Sequence, residues 1–67
     1  MTIGQRIAQK RKELGLSQEA LAEGSELHWT FIGQVERGQR NLSLHNILRV
    51  ARVLDVDPGE LVRGLRG

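Results

Sequence analysis

Apolar and polar positions along the chain recur at helical spacing, and no segment alternates as a strand should. Ile3, Ile7, Arg11 and Leu14 fall at i, i+4, i+8 and i+11, so one face of a first helix is apolar except for an arginine. Thr2 and Gln5 have the spacing of a capping box, and Gly15 supplies a left-handed stop. Ser17 opens a second helix of barely two turns with Ala20, Leu21 and Ala22 as its apolar surface, and Gly24 and Ser25 break the pattern. Trp29–Arg37 sets Phe31, Ile32 and Val35 on one side and Thr30, Gly33, Gln34 and Arg37 on the other, before Gly38 ends it. After the polar loop Gln39–Leu42, Ser43 caps a strongly amphipathic helix traced by Leu44, Ile47, Leu48, Ala51 and Leu54. Asp57-Pro58-Gly59-Glu60 joins an N-cap, a proline at the first helical position and an acid at the third, predicting a last short helix through Leu65. The Arg63–Gly67 end is expected to fray.

Five short helices with brief connections predict an all-α fold in one domain over residues 1–67, without repeats or linkers. Below about 70–80 residues a single core rarely supplies more than ~3–5 kcal/mol, and a chain without cysteine adds neither disulfides nor thiolate zinc sites. Partner binding or self-association is therefore expected on physical grounds. The net charge is only +2, but its distribution is segregated. Arg6, Lys10, Arg11 and Lys12 precede the acids Glu13, Glu19, Glu23 and Glu26, and Arg37, Arg40, Arg49 and Arg52 run without an acid until Asp55. No apolar run approaches the ~18–20 residues of a membrane span, and no signal-peptide core occurs, so a soluble cytoplasmic protein is the expectation.

Candidate chemistry is sparse. Gly33 to Gly38 has the glycine spacing of a phosphate loop, but Gln39 and Arg40 stand where Lys and Ser/Thr are required, and no strand precedes it. Asn41-Leu42-Ser43 matches a glycosylation sequon only formally. His28 and His45 lack partners at ligand or triad spacing, which leaves them surface or cap roles. Asp55 ends one helix and Asp57 begins the next, reason enough for both carboxylates. No enzyme, cofactor, metal or small-molecule ligand is expected.

From Ser17 to Gly38 a short helix, a tight turn and a second helix with a polar outer face make a helix-turn-helix. Leu16-Ser17-Gln18-Glu19-Ala20-Leu21-Ala22, Thr30-Phe31-Ile32 and Val35-Glu36-Arg37-Gly38 resemble the phage repressor and Cro type (XRE) of DNA-binding domain. Glu36 through Leu44, followed by Asn46-Ile47, is similar to the controller proteins of restriction–modification systems. The resemblance spans roughly Ile3 to Leu65 and implies a lambda-repressor-like fold of five helices.

It further implies that the second helix of the motif enters the major groove of double-stranded DNA, with Trp29, Thr30, Gly33 and Gln34 at base-reading positions. Gln34 carries an amide suited to adenine N6/N7, Thr30 suits a base edge or a thymine methyl, and Gly33 permits close backbone approach. The Trp29 indole has three options, which are the sugar–phosphate, a thymine methyl or folding back over Leu27. Gln18, Arg37, Arg40, Asn41 and Ser43 match phosphate-contacting positions. The family pairs Arg11 with Glu36 as an ion pair that positions the recognition helix, with Arg11 also able to lean toward a phosphate.

In one place the chain departs from the pattern, because Glu26 stands where the family commonly has a turn glycine, implying strain or a re-routed turn. Val50, Val53, Val62 and Leu65 are the candidate homodimer patch. The expected function is a homodimeric transcription regulator of a partly palindromic operator. The alternative is an antitoxin or coactivator-like module acting through protein contacts.

Overall fold

Each helix begins where a side chain can replace a missing backbone acceptor, and the computed structural model, which describes residues 2–63, shows this at all five starts. The helices are α1 (Ile3–Glu13), α2 (Gln18–Ser25), α3 (Trp29–Glu36), α4 (Leu44–Leu54) and α5 (Pro58–Val62). At α1 the Gln5 N–H donates to Thr2 Oγ1 at 3.1 Å and the Thr2 N–H to Gln5 Oε1 at 2.8 Å, completing the expected box. Ser17, Ser43 and Asp57 cap α2, α4 and α5. His28 heads α3, its Nδ1 accepting a long bond of 3.4 Å from the Thr30 N–H.

The first four helices end with one device. Gly15, Glu26, Gly38 and Asp55 take φ of 71°, 60°, 78° and 56°. The following N–H then reaches back to a carbonyl of the last turn, as in Leu16 to Arg11, Leu27 to Ala22, Gln39 to Gln34 and Val56 to Ala51. Glu26 therefore keeps the left-handed turn without re-routing it, and a non-glycine residue there costs on the order of 1 kcal/mol.

Several sequence expectations yield to packing. Helix α2 does not break at Gly24 and Ser25 but runs through both. A Cβ at Gly24 would lie 3.1 Å from Val53 Cγ2, so the glycine marks where α4 presses on α2. Ser25 is buried, its hydroxyl donating to the Leu21 carbonyl at 2.6 Å. The core comprises Ile7, Leu21, Ala22, Ile32, Val35, Val50, Ala51, Leu54 and Leu61. Leu14, Leu44 and Leu48, assigned to apolar stripes, are exposed, as is Ala20. Leu14 falls at the C-cap beyond the last helical turn of α1, where Leu16 packs on the core instead. On α4 the inward set is Ile47, Val50, Ala51 and Leu54, a face rotated away from Leu44 and Leu48.

Two contacts from α1 set the position of α3 and close the domain. Gly4 is buried against α3, and a Cβ there would stand 1.9 Å from the Val35 carbonyl oxygen. Arg6 Nη1 donates to the Arg63 carbonyl and, at 3.4 Å, to that of Glu60, tying α1 to the end of α5. The last helix stops at Val62, where Arg63 turns to extended backbone at the C-cap, short of the Leu65 that the pattern suggested; the fraying expected of the end beyond Arg63 lies outside the described residues.

Candidate nucleic-acid interface

Helices α2 and α3 pack on each other across the Glu26 turn, with α2 also resting on α4 and α3 on α1. The inner side of α3 delivers Ile32 and Val35 to the core. Glu36, at the last turn of α3, meets a polar network instead. Arg11 Nε donates to Glu36 Oε2 at 2.7 Å and Nη2 to Oε1 at 3.0 Å, a bidentate pair with side chains only 11% and 6% exposed. Arg11 Nη1 also donates to the Leu16 carbonyl at 2.9 Å, and Gln18 Nε2 to Glu36 Oε1 at 2.9 Å.

The geometry bears on two expected phosphate contacts. Arg11 is buried with Nε, Nη1 and Nη2 all donating inside the protein, so its guanidinium does not lean outward. The Gln18 amide donates to Glu36, so α2 offers a ligand its N-terminal backbone more than this side chain. Gln18 also joins α2 directly to the α1–α3 ion pair, a link that residue spacing alone does not suggest.

The outer side of α3 is open. Trp29, Thr30, Gly33 and Arg37 line a shallow depression whose far wall is Gln18 at the start of α2. Trp29 is 54% exposed there. Gln34 is half-buried next to Gly33 in the same helix. Gly33 itself is covered, since a Cβ built on it would lie 3.2 Å from Arg37 Nη1.

Beyond α3, Arg40 stacks its guanidinium over Phe31 at 5.7 Å from the ring centroid. Asn41 is exposed, and Ser43 Oγ accepts the Asn46 N–H at 3.2 Å, leaving its own proton to donate. These residues follow α3 and lead into α4, so they border the end of the outer face.

The proposed dimer patch changes more. Val50 is fully buried in its own core and Val53 packs on Gly24, because the face of α4 that carries them is the one turned to α2. Val50 therefore offers no free apolar surface, and Val53 only the part of its side chain left uncovered. Val62 is 40% exposed, and Leu65 lies outside the described residues. Leu44 and Leu48 are the apolar side chains that α4 leaves open, at 71% and 46%.

Asp55 and Asp57 serve as the left-handed end of α4 and the cap of α5, as their positions suggested. Among the described residues no group of histidines and carboxylates is placed to hold a metal ion, and no helix is long and apolar enough to cross a membrane. Gly4 and Arg6, which help to position α3 and close the domain, have no sequence signal beyond an extra glycine and one more basic residue.

Known proteins share this architecture. The helix-turn-helix family model matches residues 7–61. The control protein C.BamHI of Bacillus amyloliquefaciens is 41% identical over 63 residues, covering 92% of this chain and 78% of that protein. The crystal structure of the restriction–modification controller protein C.AhdI from Aeromonas hydrophila superposes with a TM-score of 0.86 at 54% identity, covering 88% of this chain and 89% of that one. The biofilm master regulator SinR, solved in complex with DNA, superposes with a TM-score of 0.87 at 39% identity, covering 91% of this chain and 98% of that one. With the family match spanning most of its length and such relatives on either side, the chain belongs to the helix-turn-helix family of the phage-repressor type.

Proposed function

We propose that this protein is a sequence-specific transcription regulator acting in the cytoplasm, which reads a partly palindromic operator as a homodimer, in the manner of the restriction–modification control proteins it resembles. The observation that carries the reading is the depression joining the start of α2 to the outer face of α3, where the side chains lack a partner helix. In this reading α3 enters the major groove with Trp29, Thr30 and Gln34 toward base edges. The α2 N-terminus, with Arg40, Asn41 and Ser43, faces phosphates on either side. The relatives favour this over a module working mainly through protein contacts. No cofactor, membrane or reaction enters it.

The homodimer rests on surface chemistry and size. Leu44, Leu48 and Val62 leave apolar surface open to a second copy. The domain measures 28 × 23 × 20 Å, small enough for two copies to occupy half-sites about one helical turn (~34–36 Å) apart without overlapping. Sedimentation at tens of micromolar should give a dimer; a monomer alone removes this part.

A footprint on the DNA upstream of the protein's own gene tests the whole reading. Two related protected half-sites are expected, with affinity falling about 10³–10⁵-fold between 50 and 200 mM salt. Gln34→Ala should weaken operator binding and spare random-sequence DNA. Equal losses on both DNAs would end the base-reading role of Gln34.

A further inference from the structure

We propose that Arg37 reads a base, in contrast to the phosphate contact its family position implies, and that residue 33 is glycine to make room for it. The inference rests on the DNA-reading role of α3 proposed above. It begins with the glycines. A glycine within a helix is, after proline, the poorest choice for helix stability, and such a position calls for a reason. Gly4 and Gly24 have theirs in a neighbouring helix, the Val35 carbonyl in one case and the Val53 methyls in the other. At Gly33 the three nearest atoms to a built Cβ all belong to Arg37, its Nη1 at 3.2 Å, Nη2 at 3.7 Å and Cζ at 3.8 Å. Packing between helices does not explain this glycine; the arginine one turn later does.

Direction and chemistry agree. Helical side chains lean toward the N-terminus of their helix, so a side chain at the C-cap of α3 folds back over position 33. The guanidinium thereby comes to the depression between Trp29, Thr30 and Gln18, on the outward face. A phosphate contact made from the flank would not need it there. The other arginines of this half of the molecule are engaged: Arg6 on carbonyls of the α5 end, Arg11 on Glu36 and Leu16, Arg40 over Phe31. Among the described residues no hydrogen bond or ion pair holds the Arg37 guanidinium. Its parallel N–H donors fit O6 and N7 of a guanine in the major groove. Gly33 and Arg37 then act as one reading unit, the glycine giving the space and the arginine the donors.

The test starts from random-sequence double-stranded DNA, from which the wild-type protein selects its preferred site. Wild type, Arg37→Ala, Arg37→Lys and Gly33→Ala are then titrated against that site, its single-base-pair variants and unselected DNA. The selected half-site should contain a G·C pair at which Arg37→Ala loses a roughly ten- to hundredfold preference, while preferences elsewhere persist. Arg37→Lys should retain part of it. Gly33→Ala should reduce preference at the same position without lowering the melting temperature, because the added methyl meets only the end of a flexible side chain. If Arg37→Ala weakens every duplex by one factor and flattens the salt dependence, Arg37 is a phosphate contact and the proposal is overturned. Unchanged binding overturns it as well. If the wild type enriches no sequence, the DNA-reading role fails first, and the two failures are told apart.

Discussion

The inner and outer sides of α3 are built on opposite rules. On the inner side the ladder is closed: Val35 meets the bare backbone of Gly4, and Glu36 accepts three hydrogen bonds from Arg11 and Gln18. On the outer side Trp29 and Thr30 are exposed and Arg37 lies over Gly33 with its donors unused among the described residues. A buried charge must be paired within the fold, whereas an exposed donor is at little cost hydrated until a partner displaces the water. One helix of eight residues is thus held rigidly from behind and left unsatisfied in front, as a reader of another molecule's surface needs to be.

Substitutions should separate the two sides by size of effect. Glu36→Ala leaves the Arg11 charge buried and unpaired and should cost about 3–5 kcal/mol in urea unfolding. Arg11→Ala with Glu36→Ala should cost much less than the sum of the single changes; additivity in that double-mutant cycle would break the inner rule. Gly4→Ala forces a methyl into the Val35 carbonyl and should cost about 3 kcal/mol, most of what so small a core supplies. A wild-type melting curve for that variant would show that the α1–α3 approach is looser than the geometry indicates.

Smaller effects sharpen the contrast. Glu26→Gly should raise stability by about 1 kcal/mol, because the left-handed turn is already present and glycine adopts it without strain. No gain in thermal melting would mean that Glu26 earns its place by a contact in the folded protein. Thr30→Ala and Gln34→Ala should change stability by no more than about 0.5 kcal/mol, their consequences appearing only in DNA binding. Larger losses in either would place part of the outer face in the fold's own support.

What was legible before folding follows from range. The Thr2–Gln5 box, the Ser17, Ser43 and Asp57 caps and the Gly15 and Gly38 stops involve residues a few positions apart, and all are present. The Arg11–Glu36 pair, 25 residues apart, was visible only through family resemblance. Leu44, Leu48 and Val50 were misplaced because a helical stripe can be read with a rotation of one position, and only the neighbour of α4 selects the buried face. Gly24 reads locally as a breaker, and packing on Val53 overrides that signal.

The sequence by itself determined that the chain is five capped helices with a helix-turn-helix at its centre, because caps, stops and periodicity are short-range interactions written into neighbouring residues. Tertiary structure alone decided which arginines are spent and which are free. Arg6, Arg11, Arg37 and Arg40 are the same residue type in the same basic background, yet one closes α5, one pairs with Glu36, one covers Gly33 and one stacks on Phe31. A guanidinium on a long flexible stem takes whatever acceptor the assembled helices bring within reach, and that is set by packing across the chain.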